Sequence, residues 1–298
     1  GTDSALALAM GHVIMTEFYV KRRSEYFHNY CKQYTDMPFL VRLVEQDGRL
    51  VPERILRASD FDNDLGTNNN AEWKTVCYDS LTNEVIVPNG TNGSRWGEEG
   101  EGVGKWNLEF KNSQTGAEID PLMSMLDTEH EVVSAAFPYF GNREHEHFTH
   151  TEHSDILMRN IPAKKIKLKD QECLVTTVYD LFIANYGVDR GLGGENVAKS
   201  YEDDVPYTPA WQERVTGVKP RDVISVARQF AENAEQTEGR SMIIVGAAIN
   251  HWYHMDMSYR GLINLTVMCG CVGRSGGGWS HYVGQEKLRP QAGWAPIG

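Results

Sequence analysis

The residues best suited to bind a ligand follow a short apolar run near residue 245. The stretch "SMIIVGAAI" predicts a buried parallel strand, and Asn250, His251 and His254 come directly after it. Because ligands bind beyond the carboxyl ends of parallel strands, these side chains are expected to project into such a crevice. The alternative is that His251 and His254 are hydrogen-bonded structural histidines.

A second candidate lies at the start of the chain, where Gly1, Thr2 and Asp3 precede an apolar helix. A helix N-terminus favours anions, but Asp3 is itself anionic and would not face a phosphate. Its carboxylate is suited to accept from paired N–H donors such as the N1–H and N2–H₂ edge of guanine. The alternative is a simple capping role for Thr2 or Asp3.

Other groups carry weaker signals. Cys269 and Cys271 form a single C-x-C without a second pair, which is more typical of a helix end than of a metal site. The glycines at 276–278 suit either a close backbone approach to a ligand or a flexible turn. A histidine-rich stretch is open to two interpretations, a metal site or a solvated polar loop. It contains His145, Glu146, His147, His150, Glu152 and His153.

Bulk composition excludes some function classes. The 298 residues are 41% hydrophobic, which is sufficient for a core, and the net charge of -12 argues against nucleic acid as a partner. The five cysteines are scattered, which favours a reducing compartment. No apolar run long enough for a transmembrane segment and no signal peptide is present. The chain starts without Met and enters a helical pattern at once, so we expect an internal fragment of a longer protein.

The pattern of elements predicts an α/β frame. Residues 2–34 predict a buried helix followed by an amphipathic one, and Asp47-Gly48 predicts a hairpin turn. Residues 50–165 lack helical periodicity and predict loops and short strands. Helices starting near Pro209 and Pro220 and over "MSYRGLINLTVMCG" then surround the strand before Asn250. This alternation predicts an α/β domain with a parallel sheet.

Several strings together resemble the catalytic α subunits of membrane-bound respiratory nitrate reductases, a branch of the molybdopterin oxidoreductase family. They are "GTDSALALAMGHVI", "EWKTV", "GKWNLE", "FPYFG", "LVTTVYDL", "GRSMIIVGAAINHWYHMDMSYRGLIN" and "CGCVGRSGGGWSHYVGQEKLRPQAGW". The resemblance extends from the first residue to the last. It implies a Rossmann-like parallel-sheet domain that carries a loop- and hairpin-rich insertion, as part of a multidomain enzyme.

The resemblance implies four regions. They are residues 1–35 as the start of a Rossmann-like cofactor-binding domain, 36–172 as a loop- and β-rich insertion, 173–272 as the return to that domain, and 273–298 as the crossing into a second cofactor-binding domain.

The resemblance also implies a cofactor, molybdenum held by two molybdopterin guanine dinucleotides, and a 4Fe-4S cluster. Gly1, Thr2 and Asp3 match a loop that binds one dinucleotide in relatives. Ala247, Asn250 and His251 match the strand-end loop that contacts the cofactor nearer the metal, although many relatives have Gln where this chain has His251. The aspartate that binds molybdenum and the ligands of the cluster are expected upstream of Gly1, so no catalytic residue and no metal ligand is assigned.

The implied activity is oxygen-atom transfer that reduces nitrate to nitrite in anaerobic respiration. The implied partners are an iron–sulfur electron-transfer β subunit and a membrane haem b γ subunit, with the enzyme associated with the cell membrane on its cytoplasmic face. Three alternatives stay open: a nitrite oxidoreductase that runs the same couple in reverse, another molybdenum oxyanion reductase or dehydrogenase of the family, and a non-catalytic fragment.

Overall fold

The computed structural model describes residues 1–90, 108–138, 156–246 and 248–281. Six α-helices lie in these ranges: α1 (Asp3–Ile14), α2 (Glu25–Tyr34), α3 (Val178–Asn185), α4 (Pro209–Thr216), α5 (Pro220–Gln236) and α6 (Met255–Met268). A π-helix (Met15–Lys21) continues α1. The predicted helical region 2–34 is therefore interrupted between Lys21 and α2, where Arg23 takes a φ of 46°.

Eleven strands lie in the same described ranges. They are β1 (Leu40–Gln46), β2 (Arg49–Ile55), β3 (Cys77–Asp79), β4 (Glu84–Ile86), β5 (Pro88–Asn89), β6 (Glu109–Asn112), β7 (Glu131–Pro138), β8 (Ile156–Lys167), β9 (Glu172–Thr177), β10 (Met242–Val245) and β11 (Gly278–His281).

The largest sheet is a closed barrel of β1, β2, β7, β8 and β9. The predicted hairpin is confirmed, since β1 and β2 pair antiparallel around Asp47 and Gly48, which both have positive φ. The other ladders of the barrel are antiparallel except for one parallel pair, Leu50 with Ala135. The region predicted as loops and hairpins thus contributes most of an ordered barrel, and β9 lies across the boundary predicted at 172/173.

Helices pack beside the barrel. The buried residues of α5 recur at helical spacing (Val223, Ala227, Ala231 and Ala234) and face a core shared with α1, α2 and α6. Ala5 of α1, Ala184 of α3 and Trp211 of α4 contact the barrel in a separate cluster. Because α1 belongs to both clusters, it is buried on more than one face, as its small and apolar residues predict.

The helix starts predicted from capping residues and prolines agree with the structure to different degrees. The predicted N-cap Thr208 is confirmed, because its hydroxyl accepts from the Trp211 N–H at 3.1 Å, and Pro209 and Pro220 occupy first-turn positions as predicted. The helix start predicted at Thr2 or Asp3 is confirmed in position, since Thr2 is the N-cap of α1, but its side chain accepts no capping hydrogen bond.

The last part of the described chain forms a strand–helix–strand unit. The strand β10 leads through α6 to β11, and the two strands pair in parallel register from Met242 with Gly278 to Val245 with His281. The prediction of a parallel strand here is confirmed, but the prediction that it is buried is wrong for this chain. Ile244 is 77% exposed because β10 and β11 form a two-stranded sheet whose outer surface carries no further element of the described chain.

The described helices offer no candidate for crossing a bilayer, because none of them is both long enough and sufficiently apolar.

Candidate cofactor site

The structure brings the two predicted binding segments together. The Ser4 hydroxyl lies 2.7 Å from the Ser258 hydroxyl, so the first turn of α1 meets the first turn of α6. A Cβ built on Gly1 would lie 3.5 Å from the Trp252 ring, which places the start of the chain against the turn that follows β10. The start of α1 and the segment after β10, which are about 250 positions apart, therefore line one surface.

Close helix packing allows this approach. At Gly261 in α6, a Cβ would lie 3.5 Å from the Cβ of Ala7 in α1, which is ordinary contact between small side chains. Farther along α1, Gly11 packs against the Tyr186 ring, where a Cβ would come within 2.3 Å. Small residues thus let α1 lie close to its neighbours, and this positions its N-terminus beside α6.

The N-terminus of α1 presents polar groups to solvent. Gly1 and Thr2 are exposed and Asp3 is half-buried in the first turn. The first backbone bonds of the helix run from the Ala5 and Leu6 N–H groups to the Thr2 carbonyl. Because the Thr2 side chain makes no capping hydrogen bond, the first backbone N–H donors of α1 are available to a ligand.

Asn250 is the most informative residue of the second segment. It lies in a short 3-10 turn (Ile249–His251), and its side-chain oxygen is buried without a hydrogen-bond partner among the described residues. A buried polar atom left unpaired costs about 1–3 kcal/mol, so native proteins rarely keep one without a reason. A bound group that donates a hydrogen bond to this oxygen would remove the cost.

The two histidines of this segment, His251 and His254, are both exposed in the described chain. His254 packs edge to face with Tyr253 at a ring-centroid distance of 4.6 Å. Ala247, the third residue predicted for this loop, lies outside the described residues.

The same surface exposes large apolar side chains. Tyr253 is 93% exposed, and Trp252, Met255, Met257 and Ile244 of β10 are also exposed. A contiguous group of large apolar residues on a protein surface marks a binding or packing face. The face around Asn250 therefore has the character of a surface that another component covers.

Sequence reasoning missed a histidine on this face. His281 ends β11, and its Nε2 lies 3.2 Å from the hydroxyl of Tyr259 in α6. The signal that could have found it is its place at the carboxyl end of a strand parallel to β10. The partnership with Tyr259 becomes visible only when α6 is folded back between the two strands.

The cysteines lie in the core. Cys31, Cys269 and Cys271 are buried in one cluster, where burial raises the pKa of the Cys31 thiol to about 12, that of Cys271 to about 11 and that of Cys269 well above its ordinary value. Within the described ranges no group of three or more His, Cys, Asp or Glu residues is arranged to hold a metal ion. The histidine-rich stretch from His145 to His153 lies outside these ranges.

Comparison with known proteins adds the family context. The family model described as molybdopterin oxidoreductase matches residues 1–293. The chain is 54% identical over its full length to both the respiratory nitrate reductase 1 and 2 alpha chains of Escherichia coli K12, covering 24% and 23% of them. It is 48% identical to the nitrate reductase alpha chain of Bacillus subtilis 168, covering 23% of that protein. The chain thus spans about a quarter of the length of these relatives.

Proposed function

The chain belongs to the molybdopterin oxidoreductase family, and from this premise we propose that it is a segment of the catalytic α subunit of a respiratory nitrate reductase. The similarity to nitrate reductase alpha chains along the whole segment supports the nitrate branch of the family. The proposed reaction is the reduction of nitrate to nitrite in anaerobic respiration. When bound, the molybdenum cofactor supplies the two-electron oxygen-atom transfer, and the protein supplies binding and orientation.

The observation that carries the proposal is the side-chain oxygen of Asn250, which is buried without a hydrogen-bond partner among the described residues. It lies in the turn directly before Trp252, whose ring would lie 3.5 Å from a Cβ on Gly1. Family membership implies a molybdenum–molybdopterin cofactor, and these residues fit such a group. A pterin and a guanine both offer N–H donors for the Asn250 oxygen, and the uncapped start of α1 offers backbone donors for acceptor atoms. The segment thus offers both an acceptor, the Asn250 oxygen, and donors, the first backbone N–H groups of α1.

We propose the bis(molybdopterin guanine dinucleotide) form of the cofactor, with six residues of this segment in contact with it. Gly1, Thr2 and Asp3 would hold one guanine dinucleotide, with the Asp3 carboxylate accepting from the guanine N–H edge. Ala247, Asn250 and His251 would contact the cofactor nearer the metal. The metal-ligand aspartate and the ligands of a 4Fe-4S cluster are proposed for parts of the enzyme that lie before Gly1.

We also propose the Rossmann-like architecture and the four regions with boundaries at 35, 172 and 272. The parallel β10–α6–β11 unit supports the Rossmann-like architecture, because parallel strands joined through a helix are the building block of doubly wound sheets. Further strands from the rest of the enzyme would cover the exposed surface of β10 and β11. The proposed partners are an iron–sulfur β subunit and a membrane haem b γ subunit, at the cytoplasmic face of the membrane.

The test is the composition and activity of the complete polypeptide that carries this segment. The expected preparation contains molybdenum and releases guanine nucleotide on acid hydrolysis, and it oxidises a reduced dye when nitrate is added. A preparation without molybdenum would contradict the family function. A preparation that contains molybdenum but does not oxidise the dye with nitrate would favour another oxyanion as the substrate. Release of a different nucleotide would overturn the proposal that Asp3 binds guanine.

A further inference from the structure

His281 and Asn250 lie at the same edge of the β10–β11 unit. His281 is the last residue of β11 and pairs with Val245, the last residue of β10, while Asn250 lies in the turn that follows β10. Since the two strands are parallel, their carboxyl ends point to the same edge, where ligands of parallel sheets bind. His281 therefore belongs to the surface that carries the proposed cofactor contacts.

Tyr259 holds the His281 ring in place. Its hydroxyl lies 3.2 Å from Nε2 of His281, and the two rings meet edge to face at a centroid distance of 5.9 Å. Trp279, two residues earlier on the same face of β11, also packs edge to face against the Tyr259 ring, at a centroid distance of 5.3 Å. The tyrosine is thus fixed by one strand residue while it orients another.

The connection that leads into β11 is fixed by hydrogen bonds from three tyrosine hydroxyls. Tyr26 donates to the Gly270 carbonyl at 2.7 Å, Tyr30 donates to the Val272 carbonyl at 2.9 Å, and Tyr19 donates to the Met268 carbonyl. These acceptors are alternate carbonyls that begin at Met268, the last residue of α6. The backbone that delivers His281 is therefore anchored to α2 and the π-helix.

Gly277, directly before β11, is required by a close backbone contact. A Cβ on Gly277 would lie 1.9 Å from the Gly239 carbonyl oxygen, so no other residue fits there without a backbone shift. The Gly278 N–H donates to the Ser241 carbonyl at 2.9 Å, which starts the pairing with β10. The register that places His281 opposite Val245 therefore depends on Gly277.

We propose that His281, positioned by Tyr259, donates a hydrogen bond from Nδ1 to an anionic oxygen bound at this edge. When the phenol hydroxyl donates to Nε2, the neutral imidazole carries its proton on Nδ1 and presents one fixed donor to the exposed side. The anionic oxygen belongs either to the pyrophosphate of the dinucleotide or to the oxyanion substrate. This inference rests on the proposed function and adds a specific donor to its site.

The experiment compares variants of the complete polypeptide that carries this segment. The variants are His281→Ala, His281→Gln, Tyr259→Phe and a control, His130→Ala. His130 is also an exposed histidine, with Nδ1 at 2.8 Å from the Thr128 carbonyl, but it lies just before β7 and outside the candidate site. Molybdenum and guanine nucleotide per polypeptide are measured for each, together with KM and kcat for nitrate.

A hydrogen bond to a charged group contributes about 1.5–3 kcal/mol, which corresponds to a change of about tenfold or more in a binding constant. If the partner is the pyrophosphate, His281→Ala lowers the molybdenum and guanine content. If the partner is the oxyanion, the content stays unchanged and the KM for nitrate rises about tenfold. In both cases His281→Gln, which retains a donor, recovers part of the loss, and Tyr259→Phe shows a smaller defect of the same kind.

Unchanged cofactor content and unchanged KM in His281→Ala would overturn the inference, and so would an equal defect in His130→Ala. A parent polypeptide without molybdenum would overturn the proposed function and this inference together. A fully loaded, nitrate-reducing parent with unaffected His281 variants would overturn the inference alone.

Discussion

The hydroxyl groups of Ser4 and Ser258 lie 2.7 Å apart and join the first turns of α1 and α6. Ser258 is buried while Ser4 is half-buried, so the bond is shielded from water. It links the start of the chain to the helix that follows the turn containing Asn250. The arrangement of the candidate site therefore depends on this pair.

We expect Ser4→Ala and Ser258→Ala each to lower stability by about 1 kcal/mol, the usual contribution of one hydrogen bond. The double variant should lose little more than Ser258→Ala alone, because both changes remove the shared bond and Ser258→Ala also removes the 3.3 Å bond from the Ser258 hydroxyl to the His254 carbonyl. Melting temperatures of the parent, the two single variants and the double variant complete this double-mutant cycle. Ser225→Ala on the exposed face of α5 is the control, and fully additive losses in the double variant would show that the two hydroxyls do not interact.

Two helical glycines should respond in opposite ways to alanine. Alanine normally stabilises a helix interior relative to glycine by about 0.5–1 kcal/mol. At Gly11 the new methyl group would lie 2.3 Å from the fully buried Tyr186 ring, so overpacking should cost about 1–3 kcal/mol instead. At Gly261 the contact with Ala7 is 3.5 Å, and the substitution should be neutral or stabilising.

Thermal unfolding of Gly11→Ala and Gly261→Ala in parallel checks this contrast. Equal shifts in the two variants would mean that packing against Tyr186 does not decide the outcome.

Predictability from sequence differed between local and long-range features. Thr208 with Pro209, and Asp47 with Gly48, act within a few residues, so their types alone predicted a helix start and a hairpin turn. The barrel requires β9 to pair with β1, whose residues lie about 130 positions away, and no local pattern specifies that pairing. The burial of β10 was predicted wrongly because an apolar run leads to burial only where another element covers the strand. No element of the described chain covers Ile244.

The candidate site shows the same division. Asn250 was named as a candidate binding residue because it follows an apolar strand, which is a local signal. His281 was missed because its significance depends on the register of β11 against β10 and on the packing of Tyr259. The proximity of Gly1 to Trp252 likewise depends on the packing of α1 against α6, which the helical pattern of each segment alone does not specify.

Burial of His12 should make the protein sensitive to acid. Desolvation lowers the pKa of His12 from 6.5 to about 4, although its Nδ1 lies 2.6 Å from the Tyr186 carbonyl. Between these two values the unfolded chain binds a proton that the folded chain does not, so stability falls as pH falls from 6.5 towards 4. At 1.36 kcal/mol per pKa unit, the free energy of unfolding falls by about 3 kcal/mol over this range.

The His12→Asn variant tests this contribution, because asparagine keeps an N–H donor for the Tyr186 carbonyl but does not titrate. Melting temperatures measured from pH 7 to pH 4 should fall less steeply in the variant than in the parent. Parallel curves would show that His12 does not carry the acid sensitivity in this range.

The thiols should be inert in the folded protein. All five cysteines are buried, and burial raises the pKa of each thiol, so the reactive thiolate is scarce at neutral pH. An aromatic disulfide reagent at pH 8 should modify fewer than one thiol per segment until denaturant is added. Cys173, at 9% exposure, should react first. Rapid modification of Cys269 or Cys271 under native conditions would contradict the packing at the end of α6.

Asn250 should have opposite effects on stability and on cofactor binding. Its buried oxygen has no partner among the described residues, so Asn250→Leu should stabilise the cofactor-free protein by about 1–3 kcal/mol, the cost of an unpaired polar group. If the cofactor donates to this oxygen, the same variant should contain less molybdenum and guanine nucleotide than the parent.

Thr75→Val is the matched control for Asn250→Leu. The Thr75 hydroxyl is also buried without a partner among the described residues, but it lies in a bridge with Arg57 beside the barrel. Valine has nearly the same shape, so this variant should raise the melting temperature of the cofactor-free protein and leave its molybdenum content unchanged. Stabilisation in both variants with loss of cofactor only in Asn250→Leu identifies the Asn250 oxygen as a cofactor contact, whereas full loading of Asn250→Leu excludes it.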